Sequence, residues 1–110
     1  MSNQELQQKW QDYLFLTREM NKFLLLNDLD LFHSLVDQRG DLQQQIETMP
    51  DEAYYNSDDG KMLLQVIKKT NAAMLQNFHK VFNSMKQREN VAKHYESKIN
   101  FVGNYLNSST

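Results

Sequence analysis

Cysteine is missing from this chain of 110 residues, proline occurs once and glycine three times. Without cysteine there are no disulfides and no thiolate metal sites, which suits a reducing compartment. Gly40, Gly60 and Gly103 lie far apart, so no glycine-rich phosphate loop exists, and little interrupts a helix besides Pro50. No apolar run approaches the roughly 20 residues that span a bilayer. Met1 to Glu5 is polar and lacks the basic-then-apolar order of a signal peptide. The net charge of −2 gives no basic patch for nucleic acid. A cytoplasmic protein, neither inserted in a membrane nor bound to nucleic acid, is the expectation.

What is present is helical periodicity. The hydrophobic fraction of 40% is ordinary for a folded chain. The length suits one domain over residues 1–106, with residues 107–110 as a frayed tail. Lys61 to Val102 contains no proline or glycine. Its two heptad seams are Leu64, Asn71, Phe78, Met85, Ala92, Ile99 and Ile67, Met74, Val81, Arg88, Tyr95, Val102. Ten of these twelve positions are apolar or aromatic, so the period is helical and not that of a strand. Unbroken, the run makes a rod of roughly 60 Å. Lys86 to Asn90 is its weakest stretch, and a break there makes Val91 to Leu106 a short fourth helix.

Two helices precede the rod. The first is predicted from about Asn3 to Leu26, capped by Ser2 or Asn3, with Leu6, Trp10, Tyr13, Thr17, Met20 and Leu24 on one seam. Leu14, Leu16, Phe23 and Leu25 widen that stripe. Asp28 or Asp30 caps a second helix ending near Met49, with Phe32, Leu35, Val36, Leu42, Ile46 and Met49 as its stripe. The short connection between them predicts an antiparallel hairpin. Gly40 either permits a close helix contact or faces solvent. Pro50 to Ser57 reads as a loop, with Ser57 or Asp58 capping the long helix and Gly60 in its first turn. The fold class is all-α, an antiparallel hairpin packed on a long third helix.

Reactive constellations are scarce. His33 and Asp37 lie four apart and share a helix face, but His79 and His94 have no acid or histidine at helical spacing. A metal site needs three or four convergent ligands, so no metal or cofactor is expected. Asp28, Asp30, Asp58 and Asp59 are explained by capping. No nucleophile motif is present, so the chain does not read as an enzyme. Arg39 falls on the stripe of the second helix. Either its stem packs while the guanidinium reaches water or an acid, or it forms a fixed ion pair that sets helix register.

The hairpin is shorter than the rod, which leaves apolar surface for another occupant. Methionine and phenylalanine at helical spacing fill cores, and they also line grooves that accept a partner helix. On the second reading Met74, Phe78, Val81 and Met85 form a client-binding surface. Val91, Tyr95, Ile99 and Val102 form an uncovered face that packs back as a gate or pairs with a second copy.

Asp30 to Leu42 (Asp-Leu-Phe-His-Ser-Leu-Val-Asp-Gln-Arg-Gly-Asp-Leu) resembles the second-helix pattern of small flagellar export chaperones of the FliT type, an acid-led helix with a Leu-x-x-x-Arg-x-x-Leu core. Trp10 with Leu16 to Met20 resembles the first helix of that family, and Val91 to Tyr95 its tyrosine-containing C-terminal segment. The resemblance implies a cytoplasmic type III export chaperone. Such a protein shields the C-terminal, assembly-prone segment of the filament-cap protein FliD and delivers it to the export apparatus. It also implies a C-terminal helix that regulates the binding surface, and no catalytic residue. Two other classes stay open: a structural, dimerising helical bundle without a secretion client, and a small metal- or ligand-binding bundle, which requires a second polar cluster in the core for which only His33 and Arg39 are candidates.

Overall fold

The computed structural model describes residues 2–83. They form α1 (Ser2–Leu25), α2 (Leu29–Glu47), α3 (Glu52–Asn56) and α4 (Asp58–Phe82), with no strand among the described residues. The predicted all-α hairpin packed on a further helix is present. α1 packs along both α2 and α4, and α3 packs on α4. The Lys86 to Asn90 segment and the seam beyond it lie outside the described residues.

The predicted seam of α1 is the axis of the core. Leu6, Trp10, Tyr13, Thr17, Met20 and Leu24 are all fully buried. Leu25 does not widen this stripe, because it is 61% exposed. Its neighbour Leu26 begins the turn that ends α1. Asn27 adopts a left-handed φ of 60°, its N–H donates to the Leu24 carbonyl (3.0 Å), and the Asp28 N–H donates to the Phe23 carbonyl (2.9 Å). This closes the last turn and reverses the chain in two residues. Asp28 then caps α2 by accepting from the Leu31 N–H at 3.2 Å. The turn therefore fixes α2 against α1 residue by residue.

The expected loop at Pro50 to Ser57 holds a helical turn. Asp51 accepts from the Tyr54 N–H at 3.2 Å, and Tyr54, 3% exposed, anchors the turn in the core. Ser57 caps α4 by accepting from the Gly60 N–H at 3.1 Å. A Cβ on Gly60 would collide with the Tyr54 carbonyl, so the α3–α4 corner requires glycine there. Gly40 has open space around its Cα, so it faces solvent and makes no close helix contact.

The core has two apolar halves. Trp10, Ile46, Tyr54, Leu64 and Ile67 belong to one, and Met20, Phe32, Met74, Phe78 and Phe82 to the other. Buried Thr17, Arg39 and Asn71 lie between them in sequence on α1, α2 and α4.

Candidate protein-binding surface

Burial corrects part of the expected client surface. Met74 and Phe78 are fully buried in the core. Phe78 packs 6.2 Å from the Phe32 ring and 4.5 Å from the Phe82 ring. Their apolar side chains are used to join α4 to the α1–α2 hairpin, because α1 packs along α4 and Phe32 of α2 reaches the Phe78 and Phe82 rings. Val81 is half-buried at the edge of the same cluster. Met85, and the gate residues Val91, Tyr95, Ile99 and Val102, lie outside the described residues.

Apolar side chains that do reach the surface sit elsewhere. Leu25, Leu26 and Leu31 are 61%, 67% and 38% exposed. All three flank the α1–α2 turn, at the end of the bundle where Phe82 and Val81 bring α4 to its close. Acidic Asp28 and Asp30 accompany them in the sequence. Phe15 stands opposite the core on α1, and Met62 and Val66 lie on the outer side of α4. Sequence periodicity missed the leucines of the turn, since Leu25 fits the widened stripe and Leu26 looks like the last helical residue. The Asn-Asp pair that follows was the available signal, because a left-handed Asn marks a helix end and a chain reversal, where apolar side chains are less covered.

Inside the bundle, Arg39 is 2% exposed, and its guanidinium does not reach water. Nη1 donates to Thr17 Oγ1 at 2.8 Å and to Asn71 Oδ1 at 3.1 Å, and the guanidinium carbon lies 4.6 Å from the centre of the Tyr13 ring. Thr17 donates in turn to the Tyr13 carbonyl at 2.8 Å. These contacts hold the arginine with the neutral oxygens of Thr17 and Asn71 and the face of the Tyr13 ring. Burial lowers the pKa of the guanidinium from its ordinary value, and electrostatic interaction with Tyr13 raises it in part.

Among the described residues no group of three or more His, Asp or Glu side chains is placed to hold a metal ion. His33 Nε2 lies 3.6 Å from Asp37 Oδ2, both half-exposed or more, an i,i+4 surface pair of the kind the sequence indicated. No described helix is long and apolar enough to cross a membrane. The arrangement can present leucines and hold three helices in place. No family model, curated protein or solved structure matches the chain.

Proposed function

We propose that this chain is a helical chaperone of the flagellar export type, cytoplasmic, which shields the C-terminal helical segment of a FliD-like filament-cap protein and delivers it to the export apparatus. The resemblance of Asp30 to Leu42 names the class. The observation that carries a binding role is the cluster of exposed leucines, Leu25, Leu26 and Leu31, at the end where α4 closes. An amphipathic client helix gains from covering such side chains, at about 25 cal/mol per Å² of apolar area. Val81 and Met85 remain the α4-side candidates for the client surface, and Met74 and Phe78 support it from inside. Val91, Tyr95, Ile99 and Val102 are proposed as a gate that competes with the client.

Calorimetric titration of the full chain with the C-terminal segment of a filament-cap protein tests this. One-to-one saturable binding with a negative heat-capacity change is expected. Truncation before Val91 should tighten it several-fold. Absence of binding, together with a stable dimer in light scattering, would overturn the proposal in favour of a structural dimerising bundle.

A further inference from the structure

The buried seam of α4 is apolar at Leu64, Ile67, Met74 and Phe78, and polar at Asn71. An apolar stripe of this kind has several seats of similar hydrophobic gain. Sliding α4 along its own axis by one turn, about 5.4 Å, exchanges one set of apolar neighbours for another. α1 and α2 lack this freedom, because the turn at Asn27 and Asp28 binds them tightly. α4 joins the hairpin through residues 48–51 and α3, an anchor at one end of α4 only, where Tyr54 is buried and Gly60 packs on its carbonyl. Farther along α4, its axial seat is set by contacts between the helices.

Arg39 supplies such a contact. From α2, a single nitrogen donates to Thr17 on α1 and to Asn71 on α4. One planar group therefore reads the level of all three helices. A one-turn slide carries the Asn71 oxygen about 5 Å away and brings Ile67 or Met74 toward a buried cation. Hydrogen bonds to buried charged groups are among the costliest to lose. A single polar seam position is also a known means of fixing register between packed helices. We infer that the Thr17–Arg39–Asn71 layer is a register lock that selects one axial seat for α4 on the α1–α2 hairpin. It chooses among packings whose apolar burial already supplies the fold. This conclusion does not depend on the client.

The chain has no cysteine, so an introduced pair contains the only thiols. Asn77 Nδ2 donates to Asn21 Oδ1 at 2.9 Å, so this pair marks the seat that α4 occupies on α1. In the full chain, Asn21→Cys with Asn77→Cys reads the native seat, and Asn21→Cys with Ala73→Cys reads the seat one turn away. The effective concentration of each thiol pair is measured in a redox buffer, first with the native layer and then with Arg39→Met and Asn71→Leu. With the native layer, the 21–77 pair should exceed the 21–73 pair at least tenfold. With the apolar layer that ratio should fall by threefold or more, while helicity and a cooperative melt are retained. Asn71→Asp, which offers Arg39 a carboxylate of the same shape, should hold or raise the ratio. An apolar-layer protein whose ratio falls by less than threefold overturns the lock, as does an Asn71→Asp protein whose ratio falls. Loss of helical circular dichroism in the apolar-layer protein overturns it too, since the layer would then supply the fold itself.

Discussion

The two halves of the core bury similar apolar side chains by different means. In the Trp10 half the rings carry polar tips, and that of Trp10 is placed by a hydrogen bond. Trp10 Nε1 donates to the Tyr55 hydroxyl at 3.1 Å, and the Trp10, Tyr13 and Tyr55 rings meet edge to face. α3 closes that end, with Tyr54 in the core and Gly60 against its carbonyl. In the Phe78 half the rings are Phe32, Phe78 and Phe82, with Met20 and Met74 between them. These side chains carry no hydrogen-bonding group and adapt to neighbours more easily. Exposed leucines flank that end. The aromatic cluster of one half includes a directional hydrogen bond, whereas the side chains of the other cluster are fitted by shape and volume. The proposed client, which must enter and leave, is better accommodated at the second.

The strongest way to break this comparison is a pair of leucine substitutions. Trp10→Leu leaves a cavity and removes the donor to Tyr55, so it should cost about 2–4 kcal/mol. Phe78→Leu, in a core of adaptable apolar groups, should cost less than about 1.5 kcal/mol. Urea denaturation followed by circular dichroism measures both. Equal losses would mean that the halves are specified alike. Aspartate at position 78 should unfold the bundle, because Phe78 is fully buried.

A smaller effect is expected at the closed end. Gly60→Ala drives a methyl into the Tyr54 carbonyl and should destabilise by about 1–3 kcal/mol. Gly40→Ala provides the contrast within the same protein. It meets open space in a helix and should stabilise by up to about 1 kcal/mol. Thermal melts of the two variants should therefore move in opposite directions. A shift of the same sign would show that the α3–α4 corner can relax around a side chain.

Most of the fold was legible because it rests on period and capping. The α1 seam follows a 4-3-4-3-4 spacing, and each of its residues is buried as that spacing requires. Asp28 and Ser57 have the side chains that caps need, and both serve as caps. α3 was not legible, since five residues are too few to show a period and its stability comes from Tyr54 reaching a core built by distant helices. The site was read less well. Met74 and Phe78 have the residue types of a binding groove, but the same types fill a core, and only the path of α1 and α2 decides between the two. Arg39 stood out as a charge on an apolar stripe. Its acceptors did not, because Thr17 and Asn71 are 22 and 32 residues away in sequence.

Tyr54 allows a finer test of the closed end. Among the described residues its buried hydroxyl has no hydrogen-bond partner. Burial, and then the negative charge of Asp59, raise its pKa above the ordinary tyrosine value. A group with a raised folded pKa contributes stability that is fully present below the unfolded pKa, about 10, and lost as pH rises through the folded one. The wild-type chain should thus lose stability above about pH 10. Tyr54→Phe should remove part of that loss and change stability at neutral pH by less than about 1 kcal/mol. Melts across the alkaline range decide it. An unchanged alkaline slope would place the cause in other tyrosines or lysines.

The smallest stability effect belongs to the Phe78 end, and it sharpens the comparison most. Leu25 and Leu26 project from the α1–α2 turn at 61% and 67% exposure, so they hold little of the bundle together. Leu25→Ser with Leu26→Ser should shift unfolding by no more than about 0.5 kcal/mol per site, the range of ordinary surface positions. The same double variant should weaken binding of a client helix at least tenfold, because two apolar contacts of the proposed docking surface are removed together. Both quantities come from one protein preparation, denaturation for the first and titration for the second. A large stability loss would show that the turn leucines belong to the core. Unchanged stability with unchanged client affinity would move the docking surface away from this end, toward Phe15 or the Met62 and Val66 side of α4.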